Sequence, residues 1–348
     1  MEYRQLGRSG CIVSTLCLGT MTFGQETDEA GAHDQLDRFV AAGGTLIDTA
    51  DVYASTTSES IIGRWLADRP SDVRDQVVLA TKGRFPTGPG ANDVGLSRRH
   101  LSRALDASLR RLQVDTIDLY QVHSWDPLTP VEETLRFLDD AVTAGKVHYV
   151  GLSNFTGWQL QRTVDLAGFH GWPVPVTLQP QYNLLVREIE WEIVPACAAN
   201  GLGLLPWSPL GGGWLTGKYR ADERPSGTTR LGEDPERGME AYGRRSQQQR
   251  TWDVLEVVEA IASERGVSMA QVALAWVVDR PQVTSVILGA RTSEQLDDNL
   301  GAAELHLTEE ETARLDDASD PGAADYPYGE PGVGQRSREL PAGELPGR

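Results

Sequence analysis

Short apolar runs alternate with amphipathic helical stretches along almost the whole chain, and this rhythm constrains the fold more than any other feature. YRQLGRSG followed by CIVSTLCLG predicts a small hairpin leading into a first strand, with Gly7 and the Ser9-Gly10 pair as turn residues. Helical pattern at 28–42 then leads to a strand at 45–49, helix 59–68 to strand 76–81, helix 98–112 to strand 117–122, and helix 131–144 to strand 147–152. The second half repeats the unit: helix 156–168, strand 175–180, helix 188–200, strand 202–207, helices 246–265 and 268–279, strand 284–288 and helix 292–301. Strands separated by crossover helices run parallel, and eight such units predict a (β/α)8 barrel of the α/β class. Ser97 and Thr308 suit helix N-caps, while Gly43, Gly145 and Gly201 suit left-handed C-caps.

Two segments break the rhythm. Residues 208–245, rich in Gly, Pro, Arg and acidic residues, are too long for a plain barrel connection and follow the seventh strand, where they would fold over a ligand. Residues 319–348 are crowded with Pro and Gly, so they are read as an irregular tail after a single domain at 1–318, with Tyr326 and Tyr328 as candidates for docking it over the barrel mouth.

Charge and cysteine content exclude several functions. A net charge of -18 repels polyanions, arguing against nucleic acid and acidic membrane surfaces, so an anionic ligand would need locally clustered cations. Cys11, Cys17 and Cys197 lack metal-ligand spacing, and three cysteines suit a reducing compartment, the cytoplasm. MEYRQLGRSG lacks a signal-peptide core, and no apolar stretch is long enough to span a membrane. His33, His100, His148, His170 and His306 are scattered, so no metal site is expected. GGWLTGK at 212–218 nearly spells a phosphate-binding P-loop, but Tyr219 stands where the magnesium-binding hydroxyl belongs. Oligomeric state is not legible.

Asp48, Tyr53, Lys82 and His123 close three consecutive strands or lie just past them, in TLIDTADVY, QVVLATK and IDLYQVH. In a barrel these positions converge on the C-terminal face. The set suits carbonyl reduction, because an alkoxide forming as hydride arrives needs a proton donor already bonded to its oxygen. Tyr53 would donate, Lys82 would lower its pKa, Asp48 would hold Lys82, and His123 would hold the substrate oxygen or relay the proton.

DTADVY, LATKG, LYQVHSWD, GLSNF, QPQYN, PWSPLGGG and LGARTSEQLDDN, in that order from about Tyr3 to Ser319, resemble the aldo-keto reductases, in the branch that also holds the voltage-gated potassium channel beta subunits. The resemblance implies NADPH/NADP+ as cofactor and small-molecule aldehydes or ketones as substrates. It also leaves an alternative, an NADPH-binding redox-sensing interaction protein with slow turnover. A chain beginning two residues before its first strand, with His123 present, favours the enzyme. By resemblance Trp207 would stack on the nicotinamide, and Ser153, Asn154 and Gln179 would bond its carboxamide. Gly19, Thr20, Met21, Asp48, Ser208, Pro209, Leu210 and Gly211 would line the cofactor. Lys218 and Arg230 would clamp phosphate, with Arg224, Arg237 or Arg244 as substitutes for Arg230. Gly289, Arg291, Gln295, Asp298 and Asn299 would meet the adenosine end, Arg291 setting NADPH over NADH. Met21, Phe23, Tyr53, Phe85, His123, Trp125 and Trp214 are expected to form an aromatic substrate pocket.

Overall fold

A computed structural model describes residues 1–221, 223–227 and 229–336. The hairpin forms from β1 (Tyr3–Gln5) and β2 (Ile12–Ser14). The barrel strands are β3 (Leu16–Gly19), β4 (Leu46–Asp48), β5 (Val78–Gly83), β6 (Ile117–Val122), β7 (Val147–Ser153), β8 (Thr177–Gln179), β9 (Gly203–Leu204) and β10 (Val286–Leu288). All neighbours pair in parallel in the order β10-β3-β4-β5-β6-β7-β8-β9. The seam between β9 and β10 is stitched by Leu204 N to Gln282 O (2.7 Å), Thr284 N to Leu204 O (2.9 Å) and Ile287 N to Pro206 O (2.9 Å), closing the (β/α)8 barrel.

Side-chain alternation divides the core in two. Cys17, Leu46, Ala80, Leu119, Leu205 and Ile287 form an inner cluster together with Leu6 of the hairpin, whereas their strand neighbours pack outward on the helices. Gly7 lets the hairpin approach the barrel: its φ is +56°, and a Cβ there would lie 1.9 Å from Val176 O. Arg4 fixes the hairpin further by donating to Val278 O and Val283 O at 2.6 and 2.8 Å.

The helix ends follow the sequence closely. Ser97 caps Arg98–Leu112 by accepting from His100 N, Thr308 and Glu311 make a reciprocal capping box, and Gly43, Gly145 and Gly201 all have positive φ. Several expected elements are shorter, two of them because of a proline. The helix expected at 188–200 splits into a 3-10 turn, Glu188–Glu190, and a helix, Ile193–Asn200. Pro195 lacks an amide proton and is tolerated only in a first turn, so the helix has to start just before it. The strand at 202–207 shrinks to Gly203–Leu204 because Pro206 cannot donate to a ladder, although Trp207 still bridges Gln181.

The long connection after β9 is ordered around its own small core. Trp214 is fully buried, stacks on Tyr242 at 5.5 Å, meets Trp252 edge-on and donates to Glu240 O at 2.9 Å. Beyond helix Glu309–Ser319 the described residues are irregular up to a short helix at Glu330–Arg336, where Pro331 falls in the permissive first turn. Tyr328 stacks on Trp191 with ring centroids 5.6 Å apart, whereas Tyr326 is exposed. Residues 337–348 lie outside the described residues.

Candidate active site

The ends of β4, β5 and β6 bring Asp48, Lys82 and His123 together, and a 3-10 turn at Tyr53–Thr56 presents the phenol to them. Lys82 is fully buried and its Nζ reaches Asp48 Oδ1 at 2.5 Å, Thr49 O at 2.8 Å and Tyr53 OH at 3.1 Å. These three acceptors use all three ammonium protons. Tyr53 OH is thus an acceptor from Lys82, which leaves its own proton to donate elsewhere.

Gln121 and Thr49 went unnoticed in the sequence. Asp48 Oδ2 accepts from Gln121 Nε2 at 2.9 Å and from Gln179 Nε2 at 3.0 Å, so the buried carboxylate is fully held. The alternation Leu119, Gln121, His123 along β6 was the available signal, since it aims a polar side chain into the barrel. Gln179 was expected to bond a nicotinamide carboxamide, but its amide nitrogen is committed to Asp48 and to Gln121 Oε1.

Burial and charge oppose each other at the Lys82 and Tyr53 pair. Burial is the largest influence on Lys82 and would lower its pKa, yet Asp48 and Tyr53 outweigh it and hold the ammonium above its ordinary range. For Tyr53 burial again dominates and raises the phenol. Lys82 pulls it down, but Asp48 and Asp51 push it up, so the net shift is upward rather than downward. Asp48 cancels much of the ammonium's pull because it lies on the same nitrogen. Burial, with the charges of Lys82 and Arg84, pushes His123 down to about 2, so the ring is a neutral imidazole at ordinary pH. It packs edge-on against Phe85 at 4.6 Å and Tyr53 at 6.0 Å. A neutral ring can hold an oxygen by a hydrogen bond but is a poor relay of positive charge.

The turn that carries Tyr53 is strained. Ala54 (φ 46°, ψ 43°), Ser55 (φ 54°, ψ 45°) and Thr56 (φ 80°, ψ -6°) are three consecutive non-glycine residues in the left-handed region, each costing about 1–2 kcal/mol. Buried Ser58 anchors the following helix by donating to Thr20 O at 2.9 Å and meeting Thr49 Oγ1 at 3.0 Å.

The other expected ligand residues divide into two regions. At the mouth, Trp207 Nε1 donates to Asn154 Oδ1 at 3.1 Å, and Asn154 Nδ2 donates to His123 O at 2.9 Å and Ser153 Oγ at 3.0 Å. Ser153 in turn donates to Gln179 O at 2.9 Å. Asn154 and Ser208 both have positive φ, and the loop continues through buried Pro209, half-buried Leu210 and buried Gly211. Gly19 passes so close to β10 that a Cβ would sit 2.6 Å from the Ile287 side chain; Thr20 is buried and Met21 exposed. Phe85 and Trp125 are part-exposed near His123, and exposed Trp158, overlooked in the sequence, meets Trp125 edge-on at 5.4 Å. Phe23 and Trp214, expected in the substrate pocket, are fully buried instead, Phe23 in the main core and Trp214 inside the long loop.

At the far end Arg291 pairs with Glu233 and Glu26, and Arg237 also pairs with Glu26, at 2.6 to 3.0 Å. Lys218 is exposed and Arg230 half-buried, and among the described residues neither makes a hydrogen bond or ion pair. Both are held below their ordinary pKa, first by burial and then by neighbouring arginines. Among the described residues, four cations thus face two carboxylates. Gln295 accepts from Arg291 N at 2.9 Å, and buried Asn299 reaches Gly289 O at 3.5 Å. Asp298 accepts from Ser268 Oγ at 2.9 Å and from Gln271 Nε2 at 3.0 Å. No group of three potential metal ligands occurs among the described residues.

The description "Aldo/keto reductase family" fits residues 15–320. An "Uncharacterized oxidoreductase YrpG" of Bacillus subtilis (strain 168) is 41% identical over 325 residues, covering 91% of this chain and 95% of the relative. A "Probable voltage-gated potassium channel subunit beta" of Oryza sativa subsp. japonica is 38% identical over 319 residues, 88% of this chain and 92% of the relative. The "Versiconal hemiacetal acetate reductase" of Aspergillus parasiticus is 33% identical over 346 residues, 93% and 98%.

Proposed function

The chain belongs to the aldo/keto reductase family, and from that premise we propose that it reduces aldehydes or ketones to alcohols with NADPH, Tyr53 serving as general acid. The observation that carries the reading is the Lys82 ammonium shared between Asp48 and the Tyr53 hydroxyl. A bound nicotinamide dinucleotide would supply the hydride. The residues present suit it: an indole face at Trp207 for the nicotinamide, and a cation-rich pocket of Lys218, Arg230, Arg237 and Arg291 for phosphate. The substrate oxygen would sit between Tyr53 and His123. Tyr53 gives its proton to that oxygen as charge develops, and the fixed ammonium stabilises the phenolate left behind. Neutral His123 holds the oxygen without competing for the proton.

Phe85, Trp125 and Trp158 would make the substrate mouth aromatic. The three free cysteines suit a reducing compartment such as the cytoplasm. The likeness to the rice channel subunit favours a second reading, a slow-turnover NADPH-binding interaction protein. NADPH oxidation against a panel of aldehydes, ketones and quinones separates the two. Multiple turnovers on at least one carbonyl class are expected; tight NADPH binding with no turnover on any would support the second reading.

A further inference from the structure

Asp51, three residues beyond β4, is fully buried, and among the described residues no side chain bonds either of its carboxyl oxygens, the Val52 amide being the one donor that bears on them. Its backbone N donates to Lys82 O at 3.1 Å, which clips the residue against the end of β5. A buried carboxylate with open acceptors is costly and calls for an explanation. Packing does not require it, since an apolar side chain would fill the space without that cost.

We propose that Asp51 is a positioning residue for Tyr53: a buried carboxyl without a side-chain partner, two residues before the phenol in the same turn, whose gain or loss of a proton sets how firmly Tyr53 keeps its own. The role rests on the reading of Tyr53 as proton donor. The charges facing Asp51 come from every element packed around it. Helix Thr57–Ala67 contributes Glu59, itself buried and bonded to Thr81 Oγ1 at 2.6 Å and Arg111 Nε at 2.7 Å. Helix Arg98–Leu112 contributes Arg111, β5 contributes Lys82, and β6 contributes the buried Tyr120 hydroxyl, also without a partner.

Burial and Glu59 favour the protonated acid, whereas Arg111, Lys82 and the Val52 amide favour the carboxylate; the balance lifts Asp51 to about 7. Ionised Asp51 raises the Tyr53 phenol. As pH rises through neutrality, Asp51 loses its proton and the phenol grips its own more tightly, keeping the donor in its acid form for reduction. Below neutrality Asp51 is uncharged and Tyr53 releases its proton more readily.

The test is the pH profile of carbonyl reduction by the full chain and by Asp51→Asn. The wild type should show a step near neutrality that the variant lacks, and the alkaline limb set by Tyr53 should move to lower pH by about half a unit or more in the variant. A second readout needs neither turnover nor cofactor. Infrared difference spectra of the wild type between about pH 6 and about pH 8 should show loss of a protonated carboxylic acid band that Asp51→Asn lacks. If that variant does not fold, Glu59→Gln serves instead: removing the neighbouring charge should move the infrared titration to lower pH. A folded Asp51→Asn with an unaltered profile, or a wild type with no carboxyl titrating in this window, would overturn the inference while leaving the reductase reading intact. A wild type that titrates in the infrared but reduces no carbonyl would overturn the Tyr53 reading, and the role of Asp51 with it.

Discussion

At the scale of single residues the site works by matched burial. Lys82 stays charged because Asp48 accepts from it, and Asp48 is held in place because Gln121 and Gln179 donate to its other oxygen. His123 does the opposite and stays neutral, which ties stability to pH. Its folded pKa is depressed to about 2 while the unfolded chain keeps the ordinary value near 6.5. Below the ordinary value the unfolded state takes up a proton that the folded state refuses, so stability is full above that pH and falls as the solution is acidified. The expected loss is about 1.4 kcal/mol per pH unit below about 6.5. Denaturant titrations at about pH 7 and about pH 5.5 should show His123→Gln losing roughly that much less than the wild type on acidification. Equal losses in the two proteins would mean that His123 protonates freely in the fold.

At the scale of elements, the strands, helices and caps were legible because they follow two simple periods, and Arg98–Leu112 and Ile117–Val122 begin and end where the pattern puts them. Backbone conformation at the Tyr53 turn was not legible. Nothing in YASTTSE announces three left-handed residues in succession, since alanine, serine and threonine all favour other conformations. The turn is held there by the Ser58 anchor and by the pull of Tyr53 toward Lys82. Ala54→Gly should therefore raise stability by roughly 0.5 kcal/mol, the relief of strain exceeding the entropy of an added glycine. Ala54→Val, β-branched at a positive φ, should lower it by roughly 1 kcal/mol or more. Thermal melts of the pair that move in the reverse order would show that the turn is not strained. Trp214 and Phe23 were misplaced for a related reason: an aromatic residue near a strand end reads the same whether it faces a pocket or fills a loop's core.

For the whole molecule, a barrel gathers side chains from distant strands at one rim, and a net charge of -18 leaves recognition of an anion to local groups. Sequence located the cations of the long loop but not their partners. Arg291 was expected to be open to a 2′-phosphate, yet it pairs with Glu26 and Glu233, whereas Lys218 and Arg230 have no ion-pair partner among the described residues. NADPH should still bind at least about tenfold more tightly than NADH, since each charge-assisted bond contributes roughly 1.5–3 kcal/mol. Lys218→Met with Arg230→Ala should remove most of that preference, read by quenching of tryptophan fluorescence; equal wild-type dissociation constants would place the phosphate elsewhere. The central claim is that this rim exists to hold one proton donor. Tyr53→Phe tests it most directly, because the ring remains and only the hydroxyl is lost. Carbonyl reduction should fall by about two to four orders of magnitude with NADPH affinity nearly unchanged, and reduction at the wild-type rate would contradict the account.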